Sequence, residues 1–368
     1  MTGRRIIYVI NGFDPGGAEH GLLTLLQNEF FAGHELKILA FCRGRGALSS
    51  RITSAAGASN VVLVSEETRL TPRALLAGAR ALWREHRQWK PDLVVLSLKQ
   101  ANIVGRLVAC FFPASRCVSF EHIARYRAQR LEWVYQYLLW ALSFRVDEIW
   151  ADSHETHRET QRYFVPRRRA QHVLPIFYTH DHAPHKTSYA LHTPLRLVAA
   201  GRLVGRKNMT VAVEAVRALR ARGAAVSLDI FGDGPDATAI QDAIGAWGLG
   251  DAVRLAGYRQ DWASHALEHD VFVNLSDTEG FCIVVAEAMA AGLPVVATDV
   301  GGIREYGRDG HNMLKLDVPD AAALVGQIDR LIQHEHLRRR LGEAGRRDML
   351  AEYSDEAMRR RSRIMLGS

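Results

Sequence analysis

Two glutamates, Glu279 and Glu287, bracket an apolar run in "DTEGFCIVVAEAMAAGLPVV", and a glycine follows the first. Ionised carboxylates are strong acceptors for the hydroxyls of a sugar or a ribose. Gly280, Phe281, Cys282 and Ile283 stand between them where a helix would begin. A helix start offers free backbone N–H groups to an anion. A plainer reading is a buried helix with Glu279 in its first turn, where acids are favoured, and Glu287 at a solvent edge. Other turns bear on the choice. "GRLVGRKN" places Arg202 and Lys207 together. There a planar fork and a mobile point charge could clamp a pyrophosphate, and Arg206 could stand in for either. Gly16 and Gly17 in "NGFDPGGAEHG" would let the backbone approach a phosphate. Gly232 in "IFGDGP" and Tyr258–Arg259 in "AGYRQD" add a glycine-rich turn and a turn able to hold a base. Each turn alone is equally well a tight bend or a pair of solvated cations.

The elements that must position these residues alternate. "RRIIYVI", "HELKILAF", "NVVLV", "DLVVLS", "RCVSF" and "DEIWA" read as strands, with helix-length stretches such as "PRALLAGARALWREH" between them. A second series follows: "LRLVAAG", "VSLDIFG", "AVRLAG", "DVFVNLS" and "PVVATD". Strands alternating with helices imply parallel sheets of βαβ units, and two series imply two doubly wound α/β domains. In such sheets ligands bind beyond the carboxyl ends of the strands. All five turns fall there, so the set carries more than any member.

The break between domains is expected in 179–194, rich in His, Pro and Thr and without a period. That gives 1–178, a linker, a second domain over 195–345 and a final helical piece over 346–368. His180, His182 and His185 lie in the linker, with no carboxylate or cysteine cluster beside them to complete a metal site.

A chain of 368 residues with 48% hydrophobic and 24% charged residues is a globular profile, and two domains suit its length. No apolar run is long enough to span a bilayer. The four cysteines make no CxxC pair or zinc pattern, and are expected as reduced thiols of a cytoplasmic protein. Net charge is +7, divided as +9 over residues 1–190 and −2 over the rest. A basic first half suits an anionic partner. "ARYRAQRLEWVYQYLLWALSF", 124–144, mixes Arg with Trp, Tyr and Leu. It reads either as a helix lying in a membrane interface or as a core helix with solvated arginines. "VPRRRAQ" offers further phosphate contacts. No GxGxxG fingerprint follows the first strand, and no nucleic-acid-binding module is present.

"GRLVGRKN", "IFGDGP", "GYRQD" and "EGFCIVVAEAMAAGLPVVATDVGGIRE" resemble the retaining glycosyltransferases of family 4, which have the GT-B fold. "GGAEHGLLTLL" and "SFEH" extend the resemblance, more loosely, into the first half. The resemblance implies two Rossmann-like domains facing a deep cleft, with a last helix returning to the first domain. It implies a nucleotide-sugar donor held mostly by the second domain, without metal or cofactor. Arg202 and Lys207 match the diphosphate-binding pair, Glu279 the donor-sugar contact and Glu287 the ribose contact. Gly280, Phe281, Cys282 and Ile283 match the turn that meets sugar and phosphate. Gly16, Gly17 and Gly232 match glycines at the donor, and Tyr258 and Arg259 the base-contacting turn. His122 matches a histidine near the reacting sugar, although Glu121 beside it could take that place. Arg202, Lys207, Glu279 and His122 are the expected catalytic set.

The implied function is retaining transfer of a hexose to a saccharide or polyprenyl-diphosphate-linked acceptor in cell-surface polysaccharide synthesis, lipopolysaccharide included. UDP-sugar is favoured as donor, with GDP-mannose second. Peripheral association with the cytoplasmic face of an anionic membrane is expected. The rival readings are a nucleotide-sugar epimerase, a phosphorylase, or a non-catalytic nucleotide-sugar-binding subunit.

Overall fold

The computed structural model describes all residues except 1–2, 15, 46–47, 123–131, 164–169, 260 and 368, and omits the side chains of 132, 162 and 163. The expectations for 124–131, and for most of "VPRRRAQ", lie outside the described residues. The chain divides into two compact units, Met1–Tyr178 with Asp355–Ser368, and Thr179–Ser354.

The first unit begins β1 (Arg5–Ile10), α1 (Gly17–Gln27), β2 (Glu35–Ala40), α2 (Leu48–Ala56) and β3 (Val61–Leu63). It continues α3 (Pro72–Gln88), β4 (Leu93–Ser97), α4 (Lys99–Ala109) and β5 (Arg116–Glu121). α5 (Glu132–Ala141), β6 (Glu148–Ala151), α6 (His154–Tyr163) and β7 (Ala170–Val173) follow. The seven strands are parallel in the order β3-β2-β1-β4-β5-β6-β7. Ile6 to Ile10 and Leu93 to Ser97 are buried without interruption. That is the mark of strands covered by helices on both faces. α3 starts where Thr71 accepts a bond from the Ala74 amide and Pro72 occupies the first turn.

The second unit repeats the plan with β8 (Leu195–Ala200), α7 (Met209–Ala221), β9 (Val226–Phe231), α8 (Ala237–Ala246) and β10 (Val253–Gly257). Then come α9 (Trp262–Ala266), β11 (Val271–Asn274), α10 (Ile283–Ala290), β12 (Val295–Thr298) and α11 (Ile303–Tyr306). β13 (Leu314–Leu316), α12 (Ala321–Gln333) and α13 (Glu335–Glu352) complete it. Its parallel sheet has the order β10-β9-β8-β11-β12-β13. Val213, Val216 and Leu219 of α7 meet Leu324 and Ile328 of α12 in one core with Leu197, Leu228 and Ile230 of the sheet. The last helix, α14 (Asp355–Leu366), belongs to the first unit, where the Ser362 hydroxyl donates to the Phe30 carbonyl at 2.6 Å.

Three expectations need correction. Both sheets carry an edge strand that the sequence reading left out, β7 and β13. The break expected after 345 falls inside α13, a continuous helix that buries Leu341, Ala344 and Met349 in the second unit. Residues 179–194 are not a detached linker. They lie on the second unit, where the Lys186 amide bonds to Ala291 and the Tyr189 hydroxyl to Gly292, at 2.8 and 3.0 Å.

Candidate active site

Each strand order reverses once, between β1 and β4 and between β8 and β11. A doubly wound sheet opens its ligand crevice at the carboxyl ends of the strands flanking that reversal. In the second unit those ends lead into Gly201–Asn208 and Leu275–Cys282, the turns that hold Lys207 and Glu279.

Lys207 ends a short 3₁₀ turn, Gly205–Lys207, and its Nζ lies 2.5 Å from Glu279 Oε1. Both side chains are nearly sequestered, at 7% and 6% exposure. The Ser276 hydroxyl donates to the same Oε1 at 2.5 Å, and Arg206 Nη1 lies 3.8 Å from Oε2. Burial alone would push the lysine down and the carboxyl up. Their mutual attraction outweighs it, so Lys207 titrates above its ordinary range and Glu279 below its own. The pair is therefore ionised at neutral pH. Two further bonds tie the turns together. Asn208, with φ of 49°, donates to the Leu275 carbonyl and to Asp277 Oδ1, and Arg206 donates to the Thr278 carbonyl at 3.0 Å. The Arg202 side chain is exposed and has no partner among the described residues.

The turn after Glu279 is packed backbone on backbone. The Gly302 amide donates to the Gly280 carbonyl at 2.6 Å, and the Tyr306 hydroxyl donates to the Phe281 carbonyl at 3.0 Å. Cys282, at φ 65°, opens α10, and no side chain caps that helix. Its first-turn amides are thus directed to an incoming anion. Ile283 is half-buried at that terminus, and burial pushes the Cys282 thiol up, which keeps it uncharged. The close approach depends on Gly301, at φ 54°, where a Cβ would stand 2.1 Å from the Glu279 carbonyl oxygen. Gly301→Ala is expected to cost about 2 kcal/mol or more through this clash. Stabilisation by a phosphate-bearing ligand, read by thermal unfolding, should fall with it.

Glu287 lies within α10, and the Trp262 indole N–H donates to its Oε2 at 2.8 Å. Burial raises its carboxyl to about 7, and the indole offsets only part of that. Gly232, at φ 148°, lets β9's turn press on β8's, since a Cβ there would meet the Gly201 oxygen. Tyr258 and Arg259 follow β10, both exposed, and Arg259 Nη1 lies 3.0 Å from His265 Nε2. The second unit therefore gathers Lys207, Glu279 and the Gly280–Ile283 turn into one bonded cluster. Arg202 stands in the same β8 turn without a bond to it.

Gly16, Gly17 and His122 belong to the first unit. Gly16 precedes α1 in extended conformation, and a Cβ on it would meet the Glu19 carboxylate. His122 follows β5, with Nε2 2.9 Å from the Ser97 hydroxyl and Nδ1 4.0 Å from Asp152 Oδ2. Burial pushes His122 down to about 3, so the ring is neutral and would act by hydrogen bonding. Its Nδ1 is buried without a hydrogen-bond partner among the described residues. Glu121 faces the other way, as strand alternation requires. It accepts from Ser119 at 2.6 Å and lies 3.7 Å from the fully buried Arg106. The polar group left at the strand end is His122.

Ser276, Asn208, Trp262 and Ser97 were not anticipated. Asn208 had a signal, since asparagine tolerates a left-handed backbone directly before a helix. Trp262 and Ser97 act through partners 25 positions away, and Ser276 bonds Glu279 within the same turn.

Exposed His180, His182 and His185 gather no ligands, and no group of three His, Cys, Asp or Glu suited to a metal occurs among the described residues.

Residues 185–348 match the family model "Glycosyl transferases group 1", and residues 15–181 match "Glycosyltransferase Family 4". Over 162 residues, 44% of this chain and 46% of the relative, the sequence is 33% identical to the lipopolysaccharide core biosynthesis glycosyltransferase LpsE of Rhizobium meliloti. Over 156 residues, 40% of this chain and 38% of the relative, it is 36% identical to the amylovoran biosynthesis glycosyltransferase AmsK of Erwinia amylovora. The chain thus spans less than half the length of these curated relatives. In structure it is similar to Anabaena HepE in complex with UDP and glucose, with a TM-score of 0.82 and 18% identity over 99% of this chain and 100% of that one. That likeness shows the GT-B fold.

Proposed function

Because the chain belongs to glycosyltransferase family 4, we propose that it moves a hexose, with retention and without metal, from a UDP-sugar to a saccharide or lipid-linked acceptor in polysaccharide or lipopolysaccharide synthesis. The observation that carries this is the ionised Lys207–Glu279 pair at the sheet's reversal point, beside the uncapped start of α10. As the C1–O bond of the donor breaks, negative charge grows on the departing diphosphate. Lys207, Arg202 and the α10 amides are preorganised to meet it. The acceptor oxygen bonds to C1 on the face the diphosphate leaves, and the phosphate oxygen takes the acceptor's proton. Glu287 accepts from the ribose hydroxyls; in the first unit, neutral His122 is a hydrogen-bonding group for substrate.

Thermal unfolding against UDP, GDP, ADP, CMP and NAD tests the donor class. A nucleotide at a hundred times its dissociation constant adds about 2.7 kcal/mol. A shift with UDP that Arg202→Ala removes supports the reading. A shift with GDP alone makes GDP-mannose the donor, and a shift with NAD alone rejects a glycosyltransferase. Turnover that requires inorganic phosphate marks a phosphorylase, release of an epimerised free donor an epimerase, and binding without turnover a non-catalytic subunit.

A further inference from the structure

We propose that the outer face of α3, α4 and α5 docks this chain on an anionic lipid bilayer. α5 presents Trp133, Tyr137, Trp140 and, just beyond it, Phe144 to solvent, the first three at 69%, 60% and 59% exposure. Their spacing of four, three and four residues puts them on one helical face. The opposite side of α5 packs inward through Leu139, with Leu138 and Leu142 against Ile103. The aromatics are therefore not the helix's core side turned outward.

The face continues across neighbouring helices. Right-handed crossovers from β3 to β4, β4 to β5 and β5 to β6 place α3, α4 and α5 on one side of the sheet. Leu107 and Phe111 are exposed on and just after α4, and the Phe111 ring lies 5.1 Å from that of Trp83 on α3. Every exposed residue among the described side chains of α4 and α5 is uncharged. A group of exposed aromatic and aliphatic side chains such as this marks an interaction site.

Charge selects the occupant. α3 exposes Arg73, Arg80, Arg84 and Arg87 on the turns that carry Leu76 and Trp83. None of the four has a partner among the described residues, and the one acid of α3, Glu85, is buried against Lys37 at 2.7 Å. A second copy of this face would bring unpaired arginines against arginines. A bilayer with anionic headgroups takes the aromatic rings at the headgroup level and pairs with the guanidinium groups. No helix among the described residues is long and apolar enough to cross a membrane, so the contact is made from one side. Its use rests on the proposed lipid-linked acceptor, but docking and transfer have separate readouts.

Flotation with phosphatidylcholine vesicles, with and without phosphatidylglycerol, tests it. Binding is expected only with phosphatidylglycerol, weakened by salt. Arg80→Gln with Arg84→Gln should weaken it about 30-fold, and Trp133→Ser with Trp140→Ser should abolish it. All four positions are exposed, so the variants should keep the wild-type unfolding midpoint. No flotation on anionic vesicles, or flotation that neither pair of substitutions changes, overturns the proposal. So does concentration-dependent self-association that the tryptophan pair removes while vesicles bind nothing. A chain that floats yet is stabilised by no nucleotide fails the proposed transfer and leaves the docking surface standing.

Discussion

Lys207→Met is expected to lower turnover with the donor about a hundred- to a thousand-fold, the usual loss when one preorganised stabiliser of developing charge is removed. It should also cost about 3–5 kcal/mol of stability. The two effects have different origins. The lysine's Nζ is 2.5 Å from Glu279 Oε1, and both groups are buried. Without the cation, Glu279 becomes an uncompensated buried charge held by the Ser276 hydroxyl and the more distant Arg206. Adding Glu279→Gln removes that charge, so the double variant should recover most of the lost stability. Turnover should stay low, because Lys207 no longer meets the diphosphate and Arg202 with the α10 amides is left to do so alone. Denaturant unfolding and steady-state kinetics on the two single variants and the double variant separate the outcomes. If turnover returns with stability, Lys207 is a structural partner of Glu279 and the proposed electrostatic role is wrong. If Lys207→Met leaves both unchanged, the pair is not the centre of the site.

The same pair shows what sequence reasoning can reach. Lys207 and Glu279 are 72 positions apart. Each sits in a turn after a strand whose apolar run is unmistakable, and the reversal of strand order brings the turns together. Runs such as Ile6–Ile10 and Val295–Thr298 are buried along their whole length, so their pattern states their place. β7 and β13 carry no such pattern. "AQHV" and "LKL" are edge strands of four and three residues with polar positions left half-buried. The contacts of Trp262 with Glu287 and of Ser97 with His122 were hidden for another reason. They join residues 25 positions apart on different elements, and only packing decides that they meet. Glu121 and His122 could not be ranked from sequence either. Strand alternation sends one to each side, and both sides are covered; only the fold shows that Glu121 meets buried Arg106 while His122 meets Ser97 and Asp152.

Glu287 gives the second large effect, and its sign follows from its carboxyl being raised from 4.5 to about 7. Between those values the folded chain holds a proton that the unfolded chain releases, so stability falls as pH rises. The contribution is full below about pH 4.5 and lost through about pH 7, a swing of at most about 3 kcal/mol. Glu287→Gln keeps a polar group for Trp262 and cannot titrate. It should flatten this part of the stability profile and raise stability at alkaline pH. Ligand binding should run the opposite way. Ribose hydroxyls bond best to the ionised form, so affinity for a UDP-sugar, whose phosphates do not titrate here, should tighten as pH rises through about 7. The approach to that limit is up to about tenfold per pH unit. Glu287→Gln should bind more weakly at high pH and show no such slope. Calorimetric titrations across this range check both enzymes. A wild-type affinity independent of pH would remove Glu287 from the diol site. A slope that survives in Glu287→Gln would assign it to another group. A carboxyl that destabilises the fold at neutral pH, set within α10 and steadied by a buried indole, is a stability cost that binding would offset.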